Sequence, residues 1–210
     1  MTDTVNDAAT DAVTAPATDI EFLSAYDQGF ARVAAVTLPV VLANPAANAA
    51  AIIEQARTLA DDGVCLAAFP ELCLTGYAID DLLLSDVLQS DVLAAIETLR
   101  AASAGLLPAL VVGAPLRLGD RLYNCALVIQ GGRVRGVAPK SYLPTYREFY
   151  EKRHFASGVG LEGEYLTLPG LRRAQQDQAS AGPDGFEDDF EDELADEIEV
   201  PFGPDLIFRA

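Results

Sequence analysis

The chain has 210 residues, half of them hydrophobic, with 32 acidic and 14 basic side chains and a formal net charge of −18. This excludes a disordered polymer and is long enough for one domain with a sizeable core. An acidic chain with no basic stripe also argues against binding nucleic acid or an anionic membrane.

Residues 1–21 are rich in Thr, Ala and Asp with almost no large apolar side chain, and read as a disordered tail. Order is expected from about Phe22. Phe30 to Leu38 is an apolar, Val-rich run, expected to be a strand buried on both faces. A helix should follow: Asn44 is a good N-cap, and Pro45 suits the first helical position because its missing N–H costs nothing there. Ile52, Ile53, Ala56, Leu59 and Ala60 share one helical face, and Gly63 is a natural stop. Val64 to Phe69 is the next expected strand, with Glu71 just past its end. Two short helices are expected between Asp80 and Ser103, split near Ser90. Ala109 to Ala114 reads as a third strand. Leu122 to Gln130 and Arg133 to Ala138 flank Gly131-Gly132, a strong hairpin signal. Ser141 to Phe155 reads as an aromatic, charged loop or helix entrance.

Pro169 to Glu199 breaks the pattern. Residues 184–199 hold ten Asp or Glu and no Lys or Arg. Phe186, Phe190, Leu194 and Ile198 are spaced by four, so the stretch reads either as a disordered acidic insertion or as a weak amphipathic helix lying on a partner. Val200 to Arg209 reads as a return to the domain, through a turn into a strand at Leu206-Ile207-Phe208. The order βαβαβββ argues an α/β layered fold, in which ligands bind beyond the carboxyl ends of strands. Glu71 and Lys140 both fall there.

The three cysteines, Cys65, Cys73 and Cys125, have no CxxC spacing, and His154 is the only histidine. Neither a zinc site nor a disulfide framework is expected. No basic region followed by an apolar stretch marks a signal peptide. The longest apolar run, Leu106 to Leu116, is far short of the ~20 residues of a membrane helix. A reduced, cytoplasmic setting is expected.

Glu71 follows Phe69-Pro70, where a carboxylate is partly desolvated and suits a general base. Taken alone it reads more readily as a strand-end acid in water. Lys140 follows Pro139 at a strand end, where an ammonium can stabilise a developing oxyanion, or can simply be solvated. Cys65 and Cys125 lie in apolar runs and read as small hydrophobes. Cys73, two residues beyond Glu71, is the one visible thiol placed near the base, but nothing obvious lowers its pKa. His154 reads as a loop histidine.

Two segments decide between these readings. Phe69-Pro70-Glu71-Leu72-Cys73-Leu74-Thr75-Gly76-Tyr77 and Pro139-Lys140-Ser141-Tyr142-Leu143-Pro144-Thr145-Tyr146-Arg147-Glu148-Phe149-Tyr150-Glu151 resemble the base and lysine motifs of the nitrilase, or carbon-nitrogen hydrolase, superfamily. With Phe22 to Ala34 and Val111 to Leu116 they resemble, over roughly residues 22–165 of a domain read as 22–168, the N-terminal glutaminase domain of the glutamine-dependent NAD+ synthetase family. The resemblance implies an αββα layered sandwich, here incomplete at the C-terminus. It implies that a cysteine attacks the side-chain amide of glutamine through a Glu-Lys-Cys triad and forms a thioester. Glu71 matches the base and Lys140 the oxyanion-stabilising lysine. Tyr77 and Tyr146 match aromatic positions of the glutamine pocket, and Glu148 is a candidate for orienting Lys140. No cofactor is implied for this segment. ATP, Mg2+ and deamido-NAD+ belong to a separate C-terminal synthetase domain, the expected partner, within a homo-oligomer. The nucleophile of the family lies beyond the strand expected at Leu206 to Phe208, so the 210 residues alone are expected to be inactive. A stand-alone amidase and a degenerate, non-catalytic fragment are the alternatives.

Overall fold

The computed structural model describes residues 26–171 and 197–208. The expected tail 1–21, Phe22 and most of the expected insertion 169–199 lie outside the described residues. Residues 26–32 belong to a separate unit and contain one turn, in which the Gly29 N–H donates to the Tyr26 carbonyl at 2.9 Å. Residues from Val33 onward form the second unit.

The described residues of that unit form a mixed seven-stranded sheet with helices. Its elements are β1 (Val33–Ala35), α1 (Pro45–Asp61), β2 (Leu66–Ala68), a 3-10 turn (Asp80–Leu84), α2 (Asp86–Ser103), β3 (Ala109–Leu118), β4 (Arg121–Gln130), β5 (Arg133–Pro139), α3 (Glu151–His154), β6 (Glu164–Pro169) and β7 (Glu197–Phe202). The sheet order is β1-β2-β3-β4-β5-β7-β6. β1, β2 and β3 run parallel; β4 is antiparallel to β3 and β5; β7 is parallel to β5; β6 is antiparallel to β7.

α1 starts as its sequence dictates. Asn44 Oδ1 accepts from the Ala47 N–H at 3.1 Å, and Pro45 opens the first turn. The helix buries Ile52, Ile53 and Ala56, while α2 buries Val92, Ile96 and Leu99. Both faces join one core with Leu110, Val112, Ala114 and Leu116, alternate residues of β3. Each fully buried Ile or Leu contributes about 1.5–3 kcal/mol. No helix among the described residues is long and apolar enough to cross a membrane.

Four expectations change. The first strand is only Val33–Ala35, and Val33 is 61% exposed rather than buried on both faces, because β1 is an edge strand. The helical stretch divides at Ser85, not Ser90: residues 80–84 wind as a 3-10 turn and α2 begins at Asp86. Leu206 to Phe208 is not a strand. The strand comes earlier, at Glu197–Phe202, where pairing with β6 and β5 satisfies its backbone before Gly203 ends it. β6 itself is an element that the sequence reading passed over.

Candidate active site

Glu71 and Lys140 lie 69 residues apart, and the sheet brings them together. β2 is parallel to β3, and the two reversals β3–β4 and β4–β5 restore that direction in β5. β2 and β5 therefore end at the same edge of the sheet, and each delivers its charged residue just past that end.

The turn carrying Glu71 is seated on β3. The Phe69 N–H donates to the Val111 carbonyl at 2.9 Å, and the Leu74 N–H to the Gly113 carbonyl at 3.2 Å. Between them the Cys73 N–H closes on the Pro70 carbonyl at 3.2 Å, and Leu72 takes a φ of +50°. This fit depends on Gly113 having no side chain. A Cβ there would lie 2.5 Å from the Pro70 carbonyl oxygen and would also overlap the Leu72 nitrogen. Lys140 is clamped from two sides: its N–H donates to the Asn124 carbonyl at 2.8 Å, and its carbonyl accepts from the Gly158 N–H at 3.0 Å.

Lys140 Nζ donates to Glu71 Oε1 at 2.7 Å and to Glu151 Oε1 at 2.8 Å. Glu151 Oε1 also accepts from the Tyr77 hydroxyl at 2.8 Å. Asn124 Nδ2 donates to Glu71 Oε1. The Glu151 side chain is almost wholly buried, at 3% exposure, whereas Lys140 keeps 30% and Glu71 42%. The buried Glu151 Oε2 has no partner among the described residues. The pair Glu71–Lys140 opens into a depression of about 340 Å³, lined also by Phe69, Gly113, Asn124 and Pro139.

The electrostatics follow from this placement. Partial burial opposes the charge on Lys140, but the hydrogen bonds and charges of Glu151 and Glu71 outweigh it and hold the pKa above that of an ordinary lysine. Lys140 is therefore a cation throughout the neutral range. An ammonium has three donors, and two are taken by carboxylates, so one remains for an oxygen arriving in the depression. Burial, and then the bond to Glu151, push the Tyr77 hydroxyl up, so it stays a neutral donor.

Of the residues singled out in the sequence, Glu71, Lys140 and Tyr77 belong to one connected network. Tyr146 does not: it is 63% exposed and meets Phe149 edge to face, with ring centroids 5.8 Å apart. Glu148 does not orient Lys140. It lies exposed after Arg147, whose φ of +55° turns the chain, and the carboxylate on Lys140 is Glu151, the first residue of α3. Asn124 and Glu151 were both missed. A lone Asn in the strand Leu-Tyr-Asn-Cys-Ala-Leu was the available signal, since a buried amide in an apolar strand requires a polar partner. His154 has an acidic partner after all. Its Nε2 lies 3.1 Å from Asp81 Oδ1, and Arg153 holds the same carboxylate at 2.9 and 3.1 Å. Bonds from Arg153, then His154, hold the Asp81 carboxyl below its ordinary range. This tie between α3 and the 3-10 turn is therefore fully present above pH 3.8 and is lost as the pH falls through the lowered value.

The buried cysteines are not poised for attack. Cys73 Sγ faces the Gly113 carbonyl at 3.6 Å rather than Glu71, and burial pushes its thiol up to about 11. Cys125 is buried and its thiol is pushed up as well. Iodoacetamide at pH 8 should leave Cys73 and Cys125 unmodified in the native chain and label all three cysteines in urea, as read by peptide mass spectrometry. Native labelling of Cys73 would contradict this assignment. Among the described residues no cluster of His, Cys, Asp and Glu is arranged to hold a metal ion.

Asn124→Leu should remove the donor to Glu71 while filling the same space. Glu71 keeps its bond from Lys140 and is 42% exposed, so loss of this one donor should cost about 0.5–1.5 kcal/mol, measurable by urea denaturation. An unchanged midpoint would mean that Asn124 does not hold Glu71.

The sequence matches the carbon-nitrogen hydrolase family over residues 32–180. It is 45% identical over 191 residues to a glutamine-dependent NAD(+) synthetase of Mycobacterium leprae, covering 91% of this chain and 24% of that protein. It is 56% identical over 144 residues to that of Mycobacterium tuberculosis H37Rv, covering 69% of this chain and 21% of the relative. The chain thus spans about a quarter of the length of these curated relatives. In three dimensions it resembles the crystal structure of a glutamine-dependent NAD(+) synthetase from Cytophaga hutchinsonii, with a TM-score of 0.65 over 86% of this chain and 26% of that one. At 20% identity that likeness speaks to the fold.

Proposed function

This chain belongs to the carbon-nitrogen hydrolase family, and from that premise we propose that it is the ammonia-supplying, glutamine-hydrolysing portion of a glutamine-dependent NAD+ synthetase. The observation that carries this reading is the Lys140 ammonium held between the carboxylates of Glu71 and Glu151, beside an open depression. The mycobacterial relatives supply the choice of glutamine and of NAD+.

In this reading Glu71 takes the proton from a cysteine thiol presented to the depression. The sulfur attacks the amide carbon of glutamine, and the carbonyl oxygen gathers negative charge against the third N–H of Lys140. The C–N bond then breaks, the proton returns from Glu71 to nitrogen, and ammonia leaves. Water, deprotonated by Glu71, cleaves the thioester and releases glutamate and the thiol. Neither Cys73 nor Cys125 supplies the sulfur. Tyr77 holds Glu151 in place, and the exposed Tyr146 is read, on the family resemblance alone, as a residue that meets substrate. ATP, Mg2+ and deamido-NAD+ are used by a synthetase domain that receives the ammonia, within a homo-oligomer. A cytoplasmic setting accords with the three free cysteines.

The test supplies glutamine labelled with 15N at the side-chain amide, together with deamido-NAD+ and ATP, to the polypeptide in which this segment is joined to a synthetase domain. Label should appear in the carboxamide of NAD+. Release of ammonia from simple amides, with no label in NAD+, would instead support a stand-alone amidase.

A further inference from the structure

Asn124 touches both charged groups of the site from one position on β4. Its backbone carbonyl accepts from the Lys140 N–H at 2.8 Å, and its side-chain Nδ2 donates to Glu71 Oε1. The residue is 3% exposed, yet it lines the same depression as Glu71 and Lys140. Only the NH2 end of the amide suits a carboxylate, because the carbonyl end would repel it.

Among the described residues, every hydrogen bond of the Glu71 carboxylate falls on Oε1. One comes from Asn124 Nδ2 and one from Lys140 Nζ. A carboxylate oxygen has two lone pairs, so Oε1 is saturated and Oε2 is left as the acceptor. The two donors differ in what they fix. Lys140 is a rotating ammonium shared with Glu151, whereas the Asn124 amide is planar and rises from a strand paired on both sides. Glu71 lies past the end of β2 and is 42% exposed, so packing alone does not set the plane of its carboxylate.

We propose, resting on the glutaminase reading above, that Asn124 is a positioning residue: by sharing Oε1 with Lys140, it makes Oε2 the oxygen of Glu71 that carries the proton. The S–H bond breaks with its electron pair left on sulfur, and the proton goes to Oε2. As the C–N bond breaks, the same oxygen returns that proton to the departing nitrogen. Oε1 keeps both donors throughout, so the carboxyl group does not turn between the two transfers. A side-chain change at Asn124 leaves Lys140 placed, because Lys140 is held there by the backbone carbonyl.

The test measures kcat and KM for glutamine in the polypeptide that joins this segment to a synthetase domain. Asn124→Leu should lower kcat by ~10²-fold, the loss expected when a reacting group is misplaced by ~1 Å, with KM changed less than about twofold. Ammonia-supported synthesis should be unchanged. Asn124→His offers a ring N–H at the place of the amide, with the rest of the ring in the depression, and should recover kcat about tenfold over Asn124→Leu. Asn124→Asp keeps the shape and loses the N–H, so it carries the test if Asn124→Leu fails to fold, and at pH 8 it should lose kcat at least as heavily. A kcat within about twofold of wild type in Asn124→Leu, or an equal loss in Asn124→Leu and Asn124→His, would overturn the proposal. So would a raised KM at constant kcat, which would make Asn124 a residue of uniform substrate binding. Glu71→Gln, run alongside, separates two failures. Normal glutamine turnover there would refute the glutaminase reading itself, whereas its loss beside a normal Asn124→Leu would refute only the role of Asn124.

Discussion

Glu71→Gln abolishes glutamine-supported NAD+ synthesis and leaves ammonia-supported synthesis intact: this is the outcome expected in a polypeptide that joins this segment to a synthetase domain. A general base contributes ~10²–10⁴-fold, and the amide of Gln cannot accept the thiol proton. The substitution is nearly isosteric, and Asn124 Nδ2 and Lys140 Nζ can still donate to the amide oxygen, so the turn should stay seated. Lys140→Ala should show the same split, with a fall of ~10²–10³-fold in glutamine turnover from loss of the oxyanion donor. It also strips both Glu71 and Glu151 of their cation, and Glu151 is buried. Some loss of thermal stability should therefore accompany it, which Glu71→Gln should not show. Normal glutamine turnover in Glu71→Gln would refute the base assignment. Loss of the ammonia-supported reaction as well would mean that the substitution acts through folding or domain contact.

Gly113→Val should be the most damaging substitution that removes no charged group. Its first added carbon overlaps backbone atoms of the Pro70–Leu72 turn, which cannot swing aside as the end of a side chain would. Overpacking of this kind costs about 1–3 kcal/mol, and displacement of a catalytic group by ~1 Å costs ~10²-fold in rate. The expected result is a lowered urea midpoint together with lost glutamine hydrolysis. Gly105→Ala is the control, because a Cβ there meets nothing within 4 Å. Equal stability of the two variants would show that the turn is not seated on Gly113 as described.

Much of this arrangement could be read from local chemistry. The pair Gly131-Gly132 takes positive φ at both residues, as the two-residue turn joining β4 and β5 requires. Asn44-Pro45 caps and opens α1 through a side chain and a ring that act within one turn. Glu71 and Lys140 were visible because each ends an apolar run that has to be a strand. What escaped the sequence depends on distance through space. Glu148 and Glu151 are equally acidic and three residues apart, and only the turn at Arg147 decides which one reaches Lys140. Asp81 meets Arg153 and His154 across more than 70 residues, a pairing no local pattern announces. Val33 reads like a core residue until the strand order puts β1 at the edge. β7 was the most recoverable miss: Glu197-Ile198-Glu199-Val200 alternates with a period of two, but its acids merged with the acidic run before it.

The strand order also constrains how the chain is made. Among the described residues β6 pairs only with β7, which connects it to the rest of the sheet. When Glu164 to Pro169 leaves the ribosome, its partner has not been synthesised, and Glu197 follows 28 residues after Pro169. At about 5–20 residues per second, that is a wait of roughly 1–6 s. During this interval Leu166 and Leu168, both buried in the finished sheet, have no strand to pair with. The β1–β5 part of the sheet can close behind them, but β6 can join it only with or after β7. This step is where a nascent chain would most need a chaperone.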